Sequence, residues 1–193
     1  MKNKIILVGG YCAAGKTTFS RNLGQKLNIP CFNQDTIDEM ICDGFGYESK
    51  VFEMGSEKVA FELILHIAEQ FMQAGQICIF ESVFTLKSIK EIKILFDKYN
   101  CECLLFIFKG DVGVLLERYI ERDKSGERHW IHHPADNPGG RNWFMNHMSK
   151  MYDGLEESEV SQKVVVDATD FEKVNYDELY DIAKKFTKNK KIN

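Results

Sequence analysis

Near the start of the chain the sequence reads Gly9-Gly10-Tyr11-Cys12-Ala13-Ala14-Gly15-Lys16-Thr17-Thr18, directly behind the apolar run Ile5-Ile6-Leu7-Val8. Gly10 and Gly15 bracket four residues and are followed by Lys and Thr, the G-x-x-x-x-G-K-[ST] spacing of a phosphate-binding loop between a strand and a helix. The glycines let the backbone turn so that successive N–H groups point inward, and the helix starting near Lys16 aims its positive end at the same anion. Phe19, Leu23 and Leu27 then recur at helical spacing, which supplies the strand, loop and helix in the required order. Gly10, Cys12, Ala13, Ala14, Gly15, Lys16, Thr17 and Thr18 are therefore the candidate nucleotide-binding residues. In such a loop the lysine neutralises the β- and γ-phosphates of ATP and the threonine ligates Mg²⁺. Lys2 and Lys4 before an uncharged run could also open a secretory signal, but two glycines break the run and a polar helix face follows. No G-x-G-x-x-G is present at this point, which argues against nicotinamide or flavin chemistry.

Composition bounds the rest. With 193 residues, 44% hydrophobic and 28% charged, the chain suits a single compact domain over 1–193. No apolar stretch approaches the roughly 18 residues of a membrane span, so no membrane association and a cytoplasmic location are expected. A formal charge of -4 gives no basic footprint, and nucleic acid is disfavoured as a partner relative to a small molecule. The six cysteines, at positions 12, 31, 42, 78, 101 and 103, read as small buried hydrophobes, because Cys101-Glu102-Cys103 lacks the C-x-x-C spacing of metal or thioredoxin sites.

Along the chain, strand and helix patterns alternate. A second strand is expected over 29–35 with Asp35 at its C-terminal end, a short helix over 36–43, and a mobile loop at Gly44-Phe45-Gly46-Tyr47. Val59, Leu63, Ile67 and Phe71 recur at four-residue steps, Phe61, Ile64, Leu65, Ala68 and Met72 widen the face, and together they predict a core helix over 56–74. A buried strand over 77–80 runs into Glu81 and Ser82, a helix covers 87–99, and the continuous apolar run over 103–108 fits the middle of a parallel sheet. Helix is expected over 115–121, 143–155 and 176–186, and a last strand over 164–167. Between 123 and 141 periodicity fails and charges, histidines, Pro134, Pro138 and Gly139-Gly140 collect, as in a lid inserted into the domain. The predicted fold class is α/β: a three-layer sandwich with a five-stranded, mostly parallel sheet and a lid. Ligands bind beyond the C-terminal strand ends of such sheets, so Gly10, Asp35, Glu81, Lys109 and Asp167 should share one rim.

Two acids on that rim could serve phosphoryl transfer. Asp35 is assigned as the base that takes a proton from an attacking hydroxyl, and Glu81 as facing the acceptor or, through water, the metal; a solvated acid at a strand end is the plain alternative for each. From Leu27 to Ser49 there are five acids, Asp38 among them, and no Lys or Arg. A phosphorylated acceptor would call for an arginine fork here, so the segment favours a neutral or cationic hydroxyl compound. Arg118 and Arg122, four residues apart on one helical face, lead towards Arg128 and suit a closing lid that contacts the phosphates, with Arg122 stabilising the transferring group. The run His129-Trp130-Ile131-His132-His133 lacks a zinc-binding spacing and reads as substrate contact or loop packing.

The order of GYCAAGKTT, FNQD, IFESVF, LLERYIERD and VVVDATD resembles the P-loop small-molecule kinases of the chloramphenicol phosphotransferase, zeta-toxin-like and polynucleotide kinase group. The resemblance implies a central first strand, Asp35 as the hydroxyl-activating acid, lid arginines on the phosphates, and the loop carrying Asp167 and Thr169 beside adenine. With it, Asp35, Asp38, Glu81, Phe84 and Arg128 are the expected acceptor contacts. Glu81 stands where many relatives carry Asp. The function expected is an ATP- and Mg²⁺-dependent phosphotransferase acting on a nucleoside, sugar or antibiotic hydroxyl; the alternative is an ATP-binding regulator or ATPase without an acceptor. A switch GTPase is disfavoured because the Asn-Lys-x-Asp base reader is absent.

Overall fold

The computed structural model describes residues 2–46, 50, 55–126, 128–132, 138–151 and 154–188. Five strands form one sheet in the order β2-β3-β1-β4-β5, and all four pairings are parallel. Strand β1 (Asn3–Gly10) is central, as its residues Ile5 to Val8, all 1% exposed or less, require of a strand covered on both faces. Strand β4 (Cys101–Lys109) beside it is likewise buried from Cys103 to Phe108. The short β2 (Cys31–Asn33) and β5 (Gln162–Asp167) are the edges. Pro30 sits just before β2, where it lacks an N–H to give but its carbonyl accepts from the Ile79 N–H at 2.9 Å.

Helices fill the crossovers: α1 (Lys16–Leu27), α2 (Gln34–Phe45), α3 (Ser56–Gln73), α4 (Leu86–Lys98), α5 (Val112–Lys124), α6 (Pro138–Met151) and α7 (Tyr176–Thr187), with β3 (Cys78–Glu81) between α3 and α4. Their ends carry local signals. Asn28 at φ 54 closes α1 with its N–H on the Gln25 and Gly24 carbonyls, Thr85 and Ser88 form a reciprocal capping box on α4, and Asp111 and Asn175 cap α5 and α7. Phe19 of α1 packs with Phe106 and Phe108 of β4, both at 5.0 Å, and stacks on Tyr180 of α7 at 5.6 Å. No described helix is long and apolar enough to cross a membrane.

Four expectations change. Strand β2 ends at Asn33, and Asp35 is the second residue of α2 rather than a strand end; Asn33 caps the helix two residues before the apolar periodicity suggests a start. Helix α2 also runs through Gly44 and Phe45, where a loop was expected; Tyr47 lies outside the described residues. In α3 the buried row is Ala60, Ile64, Ala68 and Met72, while Val59 and Leu63 are 52% and 41% exposed. Two adjacent four-step rows of this helix are apolar, and the one with alanines permits the closer approach. Helix α5 extends to Lys124, and Pro138, Gly139 and Gly140 open α6, since proline is favourable at a first helical position. The irregular segment is thus shorter than 123–141, with 127 and 133–137 outside the described residues.

Candidate active site

The parallel ladders bring Asn33, Glu81, Gly10, Lys109 and Asp167 to one end of the sheet: Asn33 is in register with Glu81, Gly10 with Phe108, and Lys109 with Asp167. The glycine-rich loop leaves β1 on this rim. Gly10 has φ 111, and a Cβ there would sit 2.0 Å from the Phe108 carbonyl oxygen; Gly15 has φ 82 and faces the Phe171 ring. Side chains are excluded from both positions. The Tyr11 N–H donates to the Phe108 carbonyl at 2.7 Å, and that of Cys12 to Met148 Sδ of α6 at 3.4 Å. Neither N–H therefore points at a ligand. Lys16 is 7% exposed and its Nζ lies 2.8 Å from the Tyr11 carbonyl, so the ammonium is held over the loop. Helix α1 begins without a side-chain cap and without an acid in its first turn, which leaves its N-terminal N–H groups to an anion.

Glu81, at the end of β3, is only 2% exposed. Thr17 Oγ1 donates to its Oε2 at 3.0 Å and Asn33 Nδ2 donates to the same oxygen. Burial pushes its carboxyl up from 4.5 to about 7, Lys16 pulls it down, and Asp35 adds to the rise. A hydroxyl and a buried carboxylate short of counter-charge, next to a phosphate loop, fit a divalent cation completed by phosphate oxygens. Among the described residues no cluster of three His, Cys, Asp or Glu side chains forms a self-sufficient metal site.

Beside the loop lies a cavity of about 430 Å³. One wall comes from the α2–α3 region with Gln34, Asp35, Asp38 and Glu57, and the opposite wall from Tyr119 and Arg122 of α5, Arg128, Ile131, His132, and Trp143 with His147 of α6. Cys12, Ser82 and Val83 complete the lining. Asp38 is 7% exposed and its carboxyl is raised, first by burial and against that by the Ser56 hydroxyl, with Asp35 adding to the rise. Arg128 is engaged by Asp123 and by the Tyr119 hydroxyl, and lies 3.9 Å over the Tyr119 ring. The wall is fastened to α2 by two histidine–carboxylate pairs, His132 with Glu39 at 2.7 Å and His129 with Asp43 at 2.9 Å. Trp143 and His147 stack at 4.4 Å.

Asp35, Asp38, Cys12, Arg122 and Arg128 thus converge on one cavity, while Lys16, Thr17 and Glu81 meet beside it. Phe84 does not join them: it is fully buried under Gly9, whose Cβ position is 3.0 Å from the ring, and is core rather than acceptor contact. Glu81 faces Thr17 and Asn33 and does not line the cavity, because β3 aims it beneath the loop. Arg118 and Arg122 share a helix but separate. Arg118 donates to the Ala168 and Thr169 carbonyls at 2.6 and 2.7 Å and lies 3.8 Å over the Phe171 ring, whereas Arg122 reaches the cavity. Asp167 accepts from the Thr169 N–H and hydroxyl at 2.9 and 2.6 Å. Arg118 therefore braces the 167–171 turn beside Gly15. Ala13 takes the left-handed turn of the loop (φ 57), Ala14 is fully buried, and Thr18 is an exposed residue of α1. Sequence reasoning overlooked Asn33, Gln34, Glu57, Ser82, Trp143 and His147. Asn33 carried a signal, an Asn three residues before Thr36 as in an N-cap; Trp143 and His147 carried only their four-residue spacing.

No family model matches the chain. It is 30% identical over 140 residues to deoxyadenosine kinase from Dictyostelium discoideum, an alignment covering 64% of this chain and 54% of that protein, so the chain matches about half the relative's length. The fold is that of a candidate kinase from Chloroflexus aurantiacus (TM-score 0.83, 22% identity, 97% of this chain and 100% of the other). It also matches a sugar kinase from Janibacter sp. HTCC2649 (TM-score 0.59, 12% identity, 96% and 94%). The protein is thus an α/β protein with a kinase-like fold, a parallel five-stranded sheet flanked by helices.

Proposed function

We propose that the protein is a kinase that moves the γ-phosphoryl group of ATP to a hydroxyl of a nucleoside-like acceptor. The observation that carries this reading is the adjacency of the lysine-bearing loop and its Thr17–Glu81 pair to a cavity into which Asp35 opens. ATP phosphates would replace the Tyr11 carbonyl as the partner of Lys16. Thr17 and Glu81 would hold Mg²⁺, which when bound neutralises charge on the β- and γ-phosphates. Asp35 takes the proton from the acceptor hydroxyl as its oxygen bonds to the γ-phosphorus, and the bond to the β,γ-bridging oxygen breaks. Arg122, across the cavity, stabilises charge on the moving group.

The acceptor's chemistry is read from the walls. Asp35, Asp38 and Glu57 favour a ligand offering hydrogen-bond donors, and Trp143 favours one with a planar ring. Arg128 is committed to Asp123 and Tyr119, in keeping with an acceptor that carries no phosphate. An amino-bearing nucleoside satisfies all three, and the named substrate of the Dictyostelium relative is of that class. The test is a panel of nucleosides, sugars, polyols and aminoglycosides with γ-labelled ATP. Labelling of amino-bearing nucleosides is expected; ATP turnover that no hydroxyl compound stimulates would overturn the reading in favour of an ATPase or regulator.

A further inference from the structure

Asn33 is bonded both to the Thr17–Glu81 pair and to the helix that carries Asp35. It ends β2 in register with Glu81, and its extended backbone (φ -112, ψ 127) leads straight into α2. Its two side-chain atoms do different work. Oδ1 accepts the Thr36 N–H at 2.7 Å and so caps α2, while Nδ2 donates to Glu81 Oε2, the oxygen that also accepts from Thr17 Oγ1. The amide orientation follows from its partners, a backbone donor on one side and a carboxylate on the other.

We infer that Asn33 is a positioning residue: it locks the first turn of α2, and with it Asp35, to the carboxylate under the phosphate loop, so that donor and acceptor groups keep one spacing. This rests on the phosphotransfer reading of the same site. The residue type follows from the double duty. Ser, Thr and Asp cap helices about as well as Asn, but an ionised Asp offers no donor to Glu81 and a hydroxyl is too short to span both partners. A plain cap would have no use for the second bond. Glu81 is 2% exposed with two donors on one oxygen, so loss of one frees the carboxylate to turn and lets the α2 N-terminus shift. At a transfer site a displacement of about 1 Å lowers the rate by roughly 10²-fold.

The experiment compares Asn33→Ser, Asn33→Ala and Asn33→Asp, alone and combined with Glu81→Gln, by kcat and KM for ATP and acceptor, by thermal unfolding, and by the unfolding shift that Mg²⁺ and ATP induce. Asn33→Ser, which keeps the cap, is expected to unfold near the wild-type temperature yet lose at least tenfold in kcat with little change in acceptor KM, whereas Asn33→Asp, which sets a second carboxylate against Glu81, should lose both kcat and stability. In the Glu81→Gln background the Ser substitution should add little, because its partner is already altered. Wild-type kcat in Asn33→Ser, or a loss seen only in Asn33→Ala and fully additive with Glu81→Gln, would reduce Asn33 to a helix cap and overturn the inference. If the wild-type protein transfers phosphate to no acceptor, the functional reading fails separately. The same cycle read in the ligand-induced unfolding shift then decides the coupling: non-additivity supports it, and additivity overturns it.

Discussion

The glycine-rich loop and the cavity beside it share a rim but are held in opposite ways. In the loop, Gly10 at φ 111 lies against the Phe108 carbonyl, Lys16 is 7% exposed, and Glu81 is sealed beneath by Thr17 and Asn33. Its parts come from the ends of two central strands and a helix that follows at once. The cavity is walled by side chains from α2, α5, α6 and the segment 128–132, and one wall is fastened to the other by the pairs His132–Glu39 and His129–Asp43, whose members are all partly exposed. Buried backbone fixes the first region. Partly exposed histidine–carboxylate contacts fasten the second. On the proposed function, a loop that binds a triphosphate in one geometry can be rigid, whereas a cavity that admits and releases an acceptor needs a wall that opens.

The contrast can be attacked at both ends. The largest effect is expected from Lys16→Ala, which should cut nucleotide-dependent turnover by roughly 10³-fold or more and weaken ATP binding with it, as calorimetry would show. Asp35→Asn should lower transfer by roughly 10³-fold while ATP affinity stays at the wild-type value; near wild-type transfer would remove Asp35 from its role. Phe84→Ala should destabilise the fold by about 3–5 kcal/mol, measured by denaturant unfolding. An effect confined to acceptor KM would instead return Phe84 to the cavity.

Glu81 supplies a pH test. Its folded-state value of about 7 exceeds the ordinary 4.5, so the folded state favours the protonated form. In the ligand-free protein this group's contribution to stability should then be complete below about pH 4.5, be lost as pH rises to about 7, and level off above, a span of roughly 3 kcal/mol. Glu81→Gln should flatten that slope in unfolding scans from pH 4.5 to 8. The smallest effect belongs to the cavity wall: Glu39→Gln should change stability by less than about 1 kcal/mol yet raise the acceptor KM more than the ATP KM, and equal effects on both would erase the distinction between the regions.

The two regions also differed in how far they could be read from the chain. Ile5 to Val8, the glycine spacing and the helical recurrence of Phe19, Leu23 and Leu27 lie within a few turns of one another, so strand, loop and helix follow from local rules. The five parallel strands and the shared rim follow from alternation of patterns and the directionality of such sheets. At α3 the periodicity named the helix and a wide apolar face that includes Ile64, Ala68 and Met72, but it led with Val59 and Leu63 and passed over Ala60, because both rows are apolar and only the approach of neighbouring elements chooses between them. Phe84 looked like a site residue because it follows the acid of β3, and proved to be core because the chain turns under Gly9.

By itself, then, the sequence determined a tight glycine-rich turn from a parallel strand into a helix, with Lys16 and Thr17 at fixed positions in it, since hydrogen bonding and steric limits over a few residues leave little else possible. Tertiary structure alone decided that Glu81 turns towards Thr17 and Asn33, that Arg118 and Arg122 part company, and that Trp143 and His147 line one cavity with Asp35 and Asp38. Those pairings join residues far apart in the chain, and no local preference fixes them; they exist because the packing of helices on both sides of the sheet leaves each side chain one place to go.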